Sequence, residues 1–173
     1  MTTDELKALV RDVPDFPQEG IVFKDLMPLI GNAEAFHATV EHLAEWAKPR
    51  SPDVILGAEA RGFIFGGALA YELGCGFVPA RKPGKLPWEK IRATYELEYG
   101  SDSLEIHADA FGKGARVIVL DDVLATGGTA QAKVELVESL GGEVVGALFV
   151  IELAFLNGRD KLTGTDVHAL IAY

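Results

Sequence analysis

Residues 116–120, RVIVL, carry an unbroken branched apolar run, and two acids, Asp121 and Asp122, follow it directly. A strand with one wet face alternates apolar and polar residues. A run without that alternation has to be covered on both faces, which is the habit of parallel sheets. Further runs at 54–57 (VILG), 76–80 (GFVPA), 144–151 (VVGALFVI) and 167–171 (VHALI) read as strands of the same kind. Between them, 62–73 (GFIFGGALAYEL) and 129–140 (TAQAKVELVESL) read as helices. The second places Val134, Val137 and Leu140 on an apolar face and stops at Gly141 and Gly142. Strands alternating with helices predict an α/β fold with a doubly wound, mainly parallel sheet flanked by helices.

The flanking segments are less regular. Thr2 and Glu5 have capping-box spacing, and Leu6, Leu9, Val10 and Val13 follow at helical intervals until Pro14 and Pro17. Residues 15–25 (DFPQEGIVFKD) read as an ordered loop, and Asn32 caps a second helix with Phe36, Val40, Leu43 and Ala47 on one face. Residues 82–92 (KPGKLPWEKIR) read as a long, mobile loop. Residues 94–99 and 103–107 alternate like an antiparallel pair joined by a turn at 100–102. At 173 residues, with no repeat or linker, the chain is expected to be a single domain spanning 1–173.

Charge limits the partners. A net charge of −10 argues against a broad nucleic-acid footprint and against adhesion to anionic membranes, so a polyanion has to be met at a local basic site. Cys75, the single cysteine, can form no internal disulfide, and the four histidines lack metal-ligand spacing. The start, MTTDELKALVRDV, does not read as a signal peptide, and no apolar run reaches the ~18 residues of a membrane span. The default address is the cytoplasm.

The chemistry concentrates in VIVLDDVLATGGTA, residues 117–130. A buried strand runs into Asp121 and Asp122, then Thr126, then Gly127 and Gly128, then Thr129 at the start of a helix. Glycines let N–H groups converge, and a helix N-terminus adds about half a positive charge, so this turn is a phosphate cradle. Acids beside such a cradle suit a ligand that also donates hydroxyls, as a ribose 5-phosphate does. The chain holds neither G-x-x-x-x-G-K-[ST] nor a G-x-G-x-x-G after a strand, which removes the P-loop and dinucleotide readings.

VIVLDDVLATGGT resembles the phosphoribosyl pyrophosphate signature of type I phosphoribosyltransferases. PDFPQEGIVFKDL, GAEARGFIFG, RKPGKLP, YELEYG and LEIHADA resemble segments of the family's adenine-specific members, in their order, across about residues 12–160. The resemblance implies the type I fold with a mobile loop and a small hood, and transfer of the phosphoribosyl group to adenine with release of pyrophosphate, giving AMP. It implies that Asp121 and Asp122 hold ribose hydroxyls and that Ala125, Thr126, Gly127, Gly128 and Thr129 wrap the 5-phosphate. Glu59, Ala60, Arg61, Lys82, Lys85 and Tyr99 are implied at the pyrophosphate, and Val22, Phe23, Arg61 and Leu153 at the adenine. Glu98, with Arg61, is implied in catalysis, through proton movement on the base or stabilisation of an oxocarbenium-like cation. Lys90 and Arg92 read as a solvated face. Mg²⁺ is expected to travel with the pyrophosphate, not on protein side chains, and a homodimer is expected. Lys24 departs from the arginine more usual at its position, which removes a bidentate fork. The rivals are the same transfer to hypoxanthine, guanine or xanthine, and a non-catalytic ligand sensor on the same fold.

Overall fold

The computed structural model describes residues 1–96 and 101–173. The chain divides into two compact units, Met1–His42 and Leu43–Tyr173.

The first unit opens with helix α1 (Thr3–Lys7). Its capping box is formed, with the Glu5 N–H on Thr2 Oγ1 at 3.3 Å and the Thr2 N–H on Glu5 Oε2 at 2.7 Å. The helix stops well short of Val13, where the spacing had predicted it to run. Arg11–Pro14 is instead strand β1, paired antiparallel with β2 (Val22–Asp25), so the segment expected to be a loop ends as a strand. Two ion pairs across this hairpin, Arg11–Asp25 and Lys24–Asp12, each at 2.6 Å, help it outcompete the short helical period. Helix α2 (Met27–Ile30) follows. Helix α3 (Ala33–Ala47) begins where expected, with Asn32 Oδ1 accepting the Ala35 N–H at 3.0 Å.

The second unit contains β3 (Val54–Ala58), α4 (Arg61–Leu73), β4 (Gly76–Ala80), β5 (Lys90–Glu96), β6 (Ser101–His107), β7 (Arg116–Leu124), α5 (Gly128–Ser139), β8 (Glu143–Glu152) and β9 (Val167–Ala172). Five of these strands form an all-parallel sheet in the order β4-β3-β7-β8-β9. From β3 the chain crosses outward through α4 to β4, and from β7 it crosses the other way through α5 to β8. The winding therefore reverses between β3 and β7, and in open α/β sheets such a reversal opens a crevice beyond the strands' carboxyl ends. Alternate residues Val54, Leu56, Ala58, Val117, Val119, Ala147 and Phe149 share one core with Ala130, Ala132, Leu136 and Val137 of α5 and with Ala93, Tyr95, Leu104 and Ile106 of the β5–β6 hairpin. Burial of such side chains contributes about 1.5–3 kcal/mol each for the larger ones.

The hairpin is antiparallel, from Lys90↔His107 to Glu96↔Ser101. Its first strand begins at Lys90, inside the span read as loop, and Ser101 and Asp102 are strand residues instead of turn. Tyr95 and Leu104 anchor it in the core, which sets where pairing starts. Among the described residues, no helix is long and apolar enough to cross a membrane.

Candidate active site

The site grows from the reversal of the sheet. Leu120 of β7 lies level with Gly57 of β3, so the strands deliver Asp121 and the turn after Ala58 to one place. That turn holds Glu59 and Ala60, joined by a cis peptide, and Arg61 opens α4. Close approach is enforced here by glycine: a Cβ on Gly62 would stand 2.7 Å from Asp121 Oδ1. The Arg61 side chain crosses the seam and donates through Nε to Asp122 Oδ2. Two segments that are 61 residues apart are thereby joined through side chains.

Asp121 and Asp122 expose only 13% and 8% of their side chains. Burial pushes the Asp121 carboxyl above its ordinary range, opposed by the ammonium of Lys133, which donates to Oδ2 at 2.8 Å. Its other oxygen accepts the Asp122 N–H at 3.1 Å.

Residues 125–129 follow as a tight turn into α5. Gly127 takes φ +83°, a left-handed conformation, and a Cβ there would meet the Gly158 carbonyl oxygen at 2.3 Å. Gly158 faces the same constraint from the Ala125 carbonyl oxygen, also at 2.3 Å. The first N–H groups of α5 have no intrahelical acceptors, so Gly128 and Thr129 start the helix as donors, with the exposed hydroxyl-bearing Thr126 just before them. A helix start with free N–H groups is the kind of geometry that favours an anion.

On the β3 side, Glu59 anchors the basic loop. Its carboxylate accepts the Lys82 N–H at 2.8 Å and Arg81 Nε at 3.0 Å. Burial raises its pKa, but the Lys82 N–H, Arg81 and Lys85 outweigh that and hold it below the usual carboxylate value. Lys82 Nζ pairs with Asp102 and reaches Tyr95 Oη at 3.3 Å. Burial alone would lower the Lys82 ammonium pKa; Asp102 and Tyr95 reverse that and raise it. Lys85 is exposed.

Leu153 follows β8 directly, half-buried, and its N–H donates to the Leu124 carbonyl at 2.9 Å. Val22 and Phe23 lie in the first unit on β2. Val22 is 49% exposed, and Phe23 meets Phe16 edge-on at 5.2 Å. Lys24, beside them, pairs with Asp12. Glu98 and Tyr99 lie outside the described residues.

A family model of the phosphoribosyl transferase domain matches residues 30–168. The chain belongs to the phosphoribosyltransferase family. It is 56% identical over 173 residues to the adenine phosphoribosyltransferase of Caldanaerobacter subterraneus subsp. tengcongensis, covering 100% of both chains. The crystal structure of the Thermoanaerobacter pseudethanolicus adenine phosphoribosyltransferase superposes with a TM-score of 0.97 at 55% identity, over 99% of this chain and 100% of that one. The Saccharomyces cerevisiae enzyme, solved with adenine and an imino-altritol 1,6-bisphosphate, gives a TM-score of 0.92 at 46% identity, over 97% of each chain.

Three features of this phosphoribosyltransferase escaped the sequence reading. Arg92 is solvated as expected, with 55% of its side chain exposed, but it also grips Glu105: Nε at 3.0 Å and Nη2 at 2.6 Å donate to a carboxylate that is 1% exposed. Glu105 also accepts the Gly84 N–H at 3.1 Å, so it moors the basic loop. The Arg92 hydrogen bonds lower its pKa most; burial opposes them and the Gly84 N–H adds to them. Arg92 and Glu105 are direct cross-strand partners, a signal available once the hairpin is aligned in register. Glu152 is buried and paired twice with Arg159, both contacts at 2.7 Å. Lys133 beneath Asp121 had no sequence signal, since a lysine in a surface helix is ordinarily solvated.

Proposed function

We propose that this phosphoribosyltransferase converts adenine and 5-phosphoribosyl 1-pyrophosphate to AMP and pyrophosphate. The observation that carries the reading is the seam between β3 and β7, where an acid pair, an arginine and a glycine-bounded helix N-terminus meet. A sugar phosphate bearing vicinal hydroxyls and an anionic leaving group matches each of those groups. Full-length similarity to adenine phosphoribosyltransferases supports adenine as the base.

In this reading Asp121 and Asp122 accept hydrogen bonds from the ribose hydroxyls, while Ala125, Thr126, Gly127, Gly128 and Thr129 donate to the 5-phosphate. The bond from the anomeric carbon to the pyrophosphate oxygen breaks, a purine nitrogen bonds to that carbon, and the nitrogen's proton leaves. Positive charge builds on the sugar as negative charge departs. Glu98 stabilises that cation or takes the proton. Arg61, the Ala60 segment, Lys82, Lys85 and Tyr99 receive the leaving pyrophosphate, and Glu59 holds the loop carrying the two lysines. Lys82 pairs with Asp102, so its engagement of pyrophosphate requires exchanging one anionic partner for another. The family resemblance assigns Val22, Phe23, Arg61 and Leu153 to the adenine, Val22 through its backbone and Phe23 through its aromatic face.

Mg²⁺ neutralises the charge of the pyrophosphate when bound. No three His, Cys, Asp or Glu side chains among the described residues cluster as metal ligands, and both acids of the pair already face cations. That donor set suits an ion carried by substrate oxygens and water. A homodimer in the cytoplasm completes the proposal. Sedimentation of the purified chain tests the dimer, and a monomer across micromolar concentrations defeats it.

The deciding experiment incubates adenine, hypoxanthine, guanine and xanthine separately with the sugar donor and Mg²⁺ and identifies each nucleotide. AMP as the principal product is expected. An inert adenine beside a reacting 6-oxopurine overturns the substrate, and tight donor binding without turnover of any base restores the sensor reading.

A further inference from the structure

Lys133 is wholly buried, 0% exposed, in the middle of α5. Its Nζ donates to Asp121 Oδ2 at 2.8 Å and to the Leu120 carbonyl at 2.7 Å, and lies 5.9 Å from the Phe149 ring centre. Its neighbours on the buried face, Ala130, Ala132, Leu136 and Val137, are apolar, so packing alone asks for no charge here. Stability does not ask for one either, because a buried ion pair often does no better than apolar groups of the same volume. What distinguishes this lysine is its partner, which belongs to the acid pair. Long side chains on a helix lean toward its N-terminus. Lys133 thus reaches back from the helix that carries the phosphate donors to the strand end that carries the acids.

We propose that Lys133 is a positioning residue of the phosphoribosyl site. It clamps one oxygen of Asp121, keeps that carboxylate in a single rotamer toward the ribose hydroxyls, and ties α5 to the end of β7 so that sugar and phosphate contacts keep a fixed spacing. This assignment rests on the phosphoribosyl reading of the site.

The test compares full-length wild type, Lys133→Met, Asp121→Asn and the double variant. Titration calorimetry measures the Kd of 5-phosphoribosyl 1-pyrophosphate with Mg²⁺, and steady-state kinetics measure the KM of adenine. Lys133→Met is expected to weaken donor binding at least tenfold while the adenine KM stays within twofold. In the Asp121→Asn background, the same change is expected to alter donor binding less than threefold, because the clamp has lost the charge it holds. A smaller loss in the single variant, or a threefold or greater loss in the Asp121→Asn background, overturns the assignment, as does an equal rise in the adenine KM. A lysine that merely supports the fold would lower thermal stability and leave the donor-to-adenine split unmoved. Should Lys133→Met not fold, the double variant, with neither member of the Lys133–Asp121 pair charged, is compared with Asp121→Asn by the same threefold criterion. A wild type that turns over no purine defeats the functional reading. A wild type that does, beside an unchanged Lys133→Met, defeats only the role of Lys133.

Discussion

Arg61 sits where two chemistries meet: its guanidinium closes on Asp122 while its backbone opens α4. Arg61→Lys keeps the charge and loses the planar fork, so kcat/KM for the sugar donor is expected to fall at least tenfold in steady-state assays. Asp122→Asn keeps the shape and removes the charge; a loss of about a hundredfold, roughly 2.7 kcal/mol of transition-state stabilisation, is expected in the same assay. An unchanged kcat/KM in both would separate this pair from the chemistry. Gly127→Ala acts through the backbone. A methyl group at φ +83° directed at the Gly158 carbonyl oxygen combines left-handed strain with a clash, and urea titration is expected to show a loss of about 2–4 kcal/mol. The acids, the hydroxyl and the glycines of 121–129 were legible in the sequence because their chemistry is local. Lys133 was not, because its meaning depends on which strand its helix covers.

At the scale of elements, the basic loop that begins at Arg81 is moored by two carboxylates, Glu59 on the β3 side and Glu105 within the hairpin. Glu105 has its pKa lowered on folding, so its contribution to stability is full above the ordinary glutamate value of 4.5 and is lost as pH falls below it through the folded-state value. Glu105→Gln is therefore expected to be less stable than wild type at pH 7, with the gap narrowing by pH 3.5. Denaturant midpoints at both pH values check it, and a gap that widens on acidification refutes it. Arg92→Met leaves a carboxylate that is 1% exposed without its main partner and is expected to cost about 1–3 kcal/mol. The sheet's strands could be read from the sequence because a two-sided apolar run has few other homes. The hairpin's limits were harder: its turn was placed across Ser101 and Asp102, which pair with Glu96 and Tyr95. The helix drawn through Val13 failed for a related reason, since charge pairing with a segment more than ten residues away has no footprint in a local period.

For the whole molecule, the reversal of winding between β3 and β7 draws the site from separate strand–helix turns. A ligand that spans them stabilises all of them together. The sugar donor with Mg²⁺ at a hundred times its Kd is expected to add about 2.7 kcal/mol, read as a rise of roughly 5–11 °C in Tm, whereas adenine alone, touching less of the seam, is expected to add less. Equal shifts from both would contradict that division. The sheet order itself was only partly legible: alternation implied a doubly wound sheet, but which strands flank the reversal is set by the crossovers and by where glycine lets them approach. Gly127 and Gly158 carry a consequence beyond the present chemistry. Each forbids a side chain because of the other's stretch of backbone, so neither position can drift through single, individually tolerated substitutions. A side chain at either one becomes possible only if the two loops first move apart, so the entry to α5 can change by loop rearrangement and not residue by residue.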